Sequence, residues 1–204
     1  MRLQVEDVDV RPANEVPFDD VLTVFGERGY PARCLCQRFK VTGWLWRDTV
    51  VEERVEMARV STGCDDPDAT ETSGLVAYVD GEPAGWVAVE PRTAYPKLFS
   101  PQFHVPWRGR HEDRDDPSVW AVTCFCVRPG FRGRGLTYVL AEAAVEHART
   151  NGASAVEGYG MLVEPGQDVT WGELFVGPAQ VLAAAGFERV SHPTKRRVVM
   201  RRQL

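Results

Sequence analysis

The 204-residue chain carries a formal net charge of −5, with 44% hydrophobic and 26% charged residues. That is the composition of an ordinary soluble globular protein, long enough for one domain with a sizeable core or one domain plus an N-terminal extension. The acidic balance argues against a nucleic-acid binder. No stretch approaches the length needed to cross a bilayer and no apolar run follows Met1, so the protein is expected to be cytoplasmic with no membrane partner. Its five cysteines, an odd number, agree with a reducing compartment.

Met1 to Val16 alternates loosely through Leu3, Val5, Val8 and Val10, which predicts a short edge strand before Pro12. Pro17 to Gly29 places Phe18, Val21, Leu22 and Phe25 on one helical face, with Asp19 and Asp20 in the first turn. Arg33 to Val41 (RCLCQRFKV) reads as a strand. Thr49 to Val60 reads as an amphipathic helix with Val51, Val55, Met57 and Ala58 inward, ended at Thr62-Gly63. Cys64 to Ser73 is an acidic loop. Leu75 to Val79 and Ala84 to Glu90 then form a hairpin, because Asp80-Gly81 separates two apolar runs.

Pro91 to Ser118 is a long loop in which five prolines mix with Tyr95, Phe99, Phe103 and Trp107. The aromatics predict a packed lid on the substrate side, disorder being the alternative. Its end, His111 to Asp116, is charged enough to face water.

The stretch that follows carries the chemistry. VWAVTCFCV (Val119 to Val127) is nearly continuous in apolar, β-favouring residues and suits a strand buried on both faces. Arg128-Pro129-Gly130 stops it. Leu136, Val139, Leu140, Ala143, Ala144, His147 and Ala148 then recur at helical spacing, up to Asn151-Gly152. Between strand and helix lies FRGRG. A helix starting near Gly133 to Gly135 presents unpaired amides, and Arg132 and Arg134 add positive charge, which together suit a pyrophosphate. A solvated basic turn is the bland alternative. No Walker Lys-Ser/Thr follows, and the third glycine of a dinucleotide fingerprint is absent.

Val127 to Leu136 (VRPGFRGRGL) resembles the acetyl-CoA signature of the Gcn5-related N-acetyltransferases. Arg132, Gly133, Arg134, Gly135 and Leu136 match that pattern, and Thr137 replaces its final Gly or Ala. The resemblance covers about residues 74 to 204 by element order and implies an acyl-CoA N-acyltransferase fold. That is an α/β arrangement with a mixed, mostly antiparallel sheet flanked by helices and splayed central strands. It implies one domain over residues 1–204, with 1–73 as its N-terminal portion and 74–204 as the cofactor core. The cofactor implied is acetyl-CoA, with no metal, bound by Phe125, Cys126, Val127, Arg132, Gly133, Arg134, Gly135, Leu136, Thr137 and Tyr138. Phe125, Cys126 and Val127 are expected to offer free ladder groups to the pantetheine amides. The substrate implied is an amine of a small molecule or peptide, and a homodimer is the family's habit. The acidic balance is mildly compatible with a cationic amine.

Beyond the loop, Ala155 to Tyr159 reads as a strand, Met161 to Glu173 as a loop, and Phe175 to Ala185 as a helix capped by Gly186. Phe187 to Ser191 and Arg197 to Arg201 close the sheet. Lys195-Arg196-Arg197 and Arg201-Arg202 read as the charged edges of a terminal strand.

Acyl transfer to an amine needs a group to take a proton, since an alkyl amine with a pKa of about 10 arrives protonated. Glu157 matches a position that carries Glu in some relatives and is the candidate base, directly or through water. Its alternative is a carboxylate paired with a neighbouring Arg. The family's proton-donating Tyr and an upstream Asn fall here at Leu182 and Phe175, so Tyr159 is the candidate donor and Tyr138 a weaker one. A non-catalytic acyl-CoA-binding relative and a protein-interaction module remain alternatives. Cys126 as an acylated nucleophile lacks a nearby His in sequence. Cys34-x-Cys36 and Cys124-x-Cys126 are read as buried thiols, a zinc site being the minor reading.

Overall fold

The computed structural model of the chain describes residues 8–43, 45–66, 68–100, 105–164, 166 and 169–204. Leu3, Val5 and Phe103 therefore lie outside the described residues. Seven strands form one sheet: β1 (Val8–Pro12), β2 (Gly74–Val79), β3 (Glu82–Pro91), β4 (Val119–Val127), β5 (Ala155–Gly158), β6 (Glu188–Thr194) and β7 (Arg197–Gln203). Their order is β1-β2-β3-β4-β5-β7-β6. The pair β4–β5 is parallel and the remaining neighbours are antiparallel. Two left-handed residues, Asp80 and Gly81, make the β2–β3 turn as expected from their sequence.

Helices α1 (Phe18–Phe25), α2 (Gly29–Cys34), α3 (Leu45–Asp48) and α4 (Val51–Thr62) precede β2. Helix α5 (Leu136–Thr150) crosses from β4 to β5, while α6 (Trp171–Leu174) and α7 (Ala179–Ala184) precede β6. On one face of the sheet α5 and α7 bury Leu136, Leu140, Ala144 and Leu182 against Leu75, Val87 and Val122. Burying each such leucine stabilises the fold by about 1.5–3 kcal/mol. On the other face Phe18, Val21 and Phe25 of α1 meet Val76, Trp86 and Cys126. Close approach of α5 depends on Gly85, where a Cβ would fall 2.8 Å from Leu136 Cδ2.

Several local expectations are corrected. Arg33 to Val41 is not a strand: α2 runs through Cys34, Leu35 and Cys36 turn left-handed with φ of 47° and 57°, and Gln37–Phe39 is a 3-10 turn. The alternation in RCLCQRF misled because Pro31 is tolerated in the first turn of a helix, where no N–H is needed. Met57 faces out of α4 at 42% exposure, leaving Ala58 as its buried apolar residue. In α5 the buried stripe includes Ala141 and Val145, with Ala143 and His147 only half-buried, because the helix crosses several strands. Gly177-Pro178 delays the next helix, so α7 starts at Ala179, and a short α6 occupies the end of the expected loop.

Candidate active site

Strands β4 and β5 pair from Val119↔Ala155 to Val122↔Gly158 and then separate. The next residue on β4, Thr123, is a bulge: Val89 opposes Val122 while Ala88 opposes Cys124. The next residue on β5 is Tyr159. These two side chains flank the mouth of a fork, and the hydroxyls of both are buried with no hydrogen bond of ordinary geometry. The segment Phe175–Ala179 bridges the fork. Phe125 N–H donates to the Phe175 carbonyl at 2.6 Å, and on the opposite side Met161 N–H donates to Gly177 O at 3.0 Å.

A groove of about 690 Å³ runs from this fork along the end of β4 to the start of α5. Phe125, Val127, Arg132, Gly133, Gly135, Leu136, Thr137 and Tyr138 line it, with Leu174, Gly177 and Pro178 opposite. Gly133 and Gly135 hold φ of 74° and 88°, a conformation that side-chain-bearing residues adopt with strain, and Gly135 caps α5. The first-turn amides of α5 have no acceptors within the helix, and its dipole favours an anion there. Two of the ten residues expected at the cofactor stand apart. Cys126 points to the opposite face, its Sγ 3.8 Å from Val24 O, and Arg134 lies over the Phe131 ring at 5.7 Å.

The ladder groups expected to be free are partly taken. Phe125 N–H is engaged as described, and Val127 O accepts Arg132 Nε at 2.9 Å. A ligand seated against Phe125 N–H must therefore exchange with the Phe175 carbonyl. The groove otherwise fits a coenzyme A: left-handed glycines and helix amides for a pyrophosphate, then a channel to the fork for an extended arm.

Glu157 on β5 is fully buried at the centre of an ionic cage. Arg110 donates to it at 3.0 and 2.5 Å, Arg201 at 2.7 Å and Arg92 at 3.5 Å. Glu112 joins from the loop, accepting from Arg92 at 3.0 Å, from Arg110 and from Arg201. Burial opposes ionisation of Glu112, but hydrogen bonds from Arg110 and Arg201 outweigh it and hold the carboxyl at about 2. Burial likewise opposes the charges of Arg110 and Arg201, yet their bonds to Glu157 and Glu112 keep both protonated. Trp107 seals the cage, its ring 4.9, 4.7 and 4.9 Å from the guanidinium carbons of Arg92, Arg110 and Arg114. Thus Glu112 does not simply face water as expected for His111 to Asp116. The described part of the loop packs through Tyr95, Leu98 and Trp107, all buried.

A second cavity of about 640 Å³ lies on the other side of Phe175–Val176 from the groove. Tyr159 lines it with Phe39, Phe175, Val199, Arg38, Lys97 and Arg197. Burial first, and the charge of Glu157 second, hold the Tyr159 phenol protonated well above its ordinary range. Leu182, at the position of the family's donor Tyr, is buried in the core beneath Gly158. Burial pushes the Cys126 thiol up to about 12, which opposes a nucleophilic thiolate.

Of the two Cys-x-Cys stretches, Cys36, Cys124 and Cys126 share one core cluster as free thiols, and Trp86 Nε1 donates to Cys36 Sγ at 3.1 Å. Among the described residues no group of three or more His, Cys, Asp or Glu is arranged to hold a metal ion. Nor is any described helix long and apolar enough to cross a membrane. The cage arginines carried no local sequence signal, since each meets Glu157 across tens of residues.

A sheet forked between its parallel strands, with a glycine–arginine loop and helix N-terminus at the end of the fork, defines an acyl-CoA N-acyltransferase fold. The chain belongs to the acetyltransferase (GNAT) family, whose model matches residues 39–160, more than half of its length. Among solved structures it is similar to a GCN5-related N-acetyltransferase from Kribbella flavida, at 18% identity and a TM-score of 0.54, covering 98% of this chain and 100% of that one. It is also similar to yncA of Salmonella typhimurium, solved with its cofactor acetyl-CoA, at 14% identity and a TM-score of 0.52, covering 97% and 94% of the two chains. At these identities the likeness speaks for the fold. No curated protein matches the chain.

Proposed function

We propose that the protein is an acetyl-CoA-dependent N-acetyltransferase that acts by direct attack of an amine within a ternary complex. The observation that carries this reading is the continuity of the Gly133–Tyr138 groove with the fork at Phe125, adjacent to a second cavity at Tyr159. When bound, acetyl-CoA supplies an activated acyl thioester. The amides of the α5 first turn and of Gly133–Gly135 hold the diphosphate, and Arg132 lies over the strand end. Phe125 N–H, released from the Phe175 carbonyl, is the donor for the carbonyl oxygen that gains charge. Tyr159 donates a hydrogen bond toward the sulfur as it leaves.

Glu157 acts in this reading as a carboxylate paired with arginines. Three arginines contact its oxygens through four N–H groups, three on Oε2 and one on Oε1, and no part of it reaches solvent, so its charge is already matched and walled off from an incoming ammonium. Its work is to position the Arg92–Asp116 loop against β5 and β7. Cytoplasmic residence and a homodimer go with this reading by family habit.

The test is acetyl-CoA thermal shift followed by thiol release with an amine panel. At a hundredfold excess over Kd, one site adds about 2.7 kcal/mol, which raises Tm by roughly 5–10 °C in a chain of this size. No shift at saturating cofactor overturns the reading. A shift without thiol release on any amine favours the non-catalytic relative, which the replacement of the family's Tyr and Asn by Leu182 and Phe175 also favours. In an active enzyme, Tyr159→Phe lowers kcat with KM for acetyl-CoA unchanged.

A further inference from the structure

The chain is acidic overall, yet among the described residues the second cavity is lined by three cationic side chains and by no Asp or Glu. Arg38 comes from the Gln37–Phe39 turn, Lys97 from the 3-10 turn Pro96–Phe99, and Arg197 from the start of β7. Among the described residues none of these three forms an ion pair. Three arginines beside Arg197 in sequence are matched: Arg196 with Glu173 at 2.8 Å, Arg201 with Glu157 at 2.7 Å, and Arg202 with Glu142 at 3.7 Å. The walls between the cations are apolar, from Phe39, Phe175 and Val199. Cations gathered against apolar walls are incompletely solvated and repel one another, and an anion relieves both penalties. Burial lowers the proton affinity of Lys97, and the charge of Arg38 lowers it further.

Resting on the acetyltransferase reading, we infer that this cavity selects amines that also carry a carboxylate or similar anion on an apolar body, as a free hydrophobic amino acid does. Arg197, Arg38 and Lys97 are the specificity-determining residues. The same positive field has a second effect. It disfavours the ammonium form of the incoming amine, so that the nitrogen reaches the fork as the neutral nucleophile without a carboxylate base beside it. One proton leaves to solvent before attack; the nitrogen–acyl bond then forms, the carbon–sulfur bond breaks, the second nitrogen proton passes to solvent, and coenzyme A leaves as a thiolate steadied by the Tyr159 hydroxyl. Polyamines and lysine-rich peptides are excluded by like charge.

Two measurements decide the matter. In thiol release at saturating acetyl-CoA, aromatic and branched amino acids are compared with their amides and their decarboxylated amines. The carboxylates are expected to win in kcat/KM by roughly 10- to 100-fold, the range for one charge-assisted bond. Arg197→Gln removes that advantage through KM, and Arg197→Lys restores part of it. A decarboxylated or dicationic amine that equals or beats its amino acid overturns the inference.

Calorimetry with 3-phenylpropionate and 4-methylpentanoate reads the anion site without any acetyl transfer. Binding that Arg197→Gln abolishes supports the site even if acetyl-CoA is never consumed, in which case the acetyltransferase reading alone fails. Consumption of acetyl-CoA with amines that lack a carboxylate, and no carboxylate binding, sinks the anion site and leaves the acetyltransferase standing.

Discussion

Arg110 grips Glu157 with both terminal nitrogens, Nη1 on Oε1 at 3.0 Å and Nη2 on Oε2 at 2.5 Å. The pair joins a loop to the middle strand of the C-terminal half, and the carboxylate has no contact with water. Removing its charge leaves three largely buried guanidiniums to share the part-exposed Glu112. Breaking a buried pair in this way typically costs about 3–5 kcal/mol, because the surviving charge is uncompensated. Glu157→Gln is therefore expected to lower Tm by roughly 10 °C in calorimetry. Its pH–rate profile should keep the native shape; loss of a limb would show instead that Glu157 titrates during turnover.

Glu112 gives the cage a pH signature. Its folded carboxyl lies at about 2, below the ordinary value of 4.5, so the folded state binds fewer protons than the unfolded chain through that interval. The stabilisation is complete above the ordinary value and is lost as pH falls from there towards about 2. Thermal melts taken at descending pH should show Tm falling across this window. In Glu112→Gln the fall should be shallower, and equal slopes for both proteins would refute the linkage.

The loop before α5 predicts two opposite responses. Gly135 caps the helix at φ 88°, where a Cβ introduces about 1–2 kcal/mol of strain. Gly135→Ala should weaken acetyl-CoA binding by about tenfold or more in titration calorimetry, through strain and loss of backbone approach. Thr137 lines the groove where the family pattern has Gly or Ala. Thr137→Ala opens space at the anion seat, so its affinity should equal or exceed that of the native protein. Weaker binding would mean that the threonine hydroxyl contributes a contact of its own.

All five cysteines are free and buried, and burial raises the proton affinity of Cys34 and Cys126 to about 12. Native protein should react with a thiol reagent orders of magnitude more slowly than unfolded protein. Rapid native labelling of one thiol would reveal local opening of the α1–β4 layer.

Much of the framework was readable because its signals are local. The β2–β3 hairpin announces itself through Asp80-Gly81, β4 through its unbroken apolar run, and the groove through glycines placed between strand and helix. The left-handed turn at Leu35 and Cys36 has no such signal, because alternating side chains do not report the sign of φ. The cage was invisible for a different reason: Arg92, Arg110, Glu112, Glu157 and Arg201 come together only through the sheet order that sets β7 beside β5. The cationic cavity has the same origin. It draws Arg38, Lys97 and Arg197 from three distant segments, so the overall acidity of the chain gave the opposite impression.

Arg201 stands on the final strand, directly opposite Glu157 in the β5–β7 register, and closes the cage from the far side of the chain. The terminal segment thus serves as a latch for a loop that begins more than a hundred positions earlier. Replacing Arg201 with Gln would release that latch while leaving the β5–β7 ladder in place. Such a protein should still bind coenzyme A but be cut by proteases between Arg92 and Asp116 faster than the native chain.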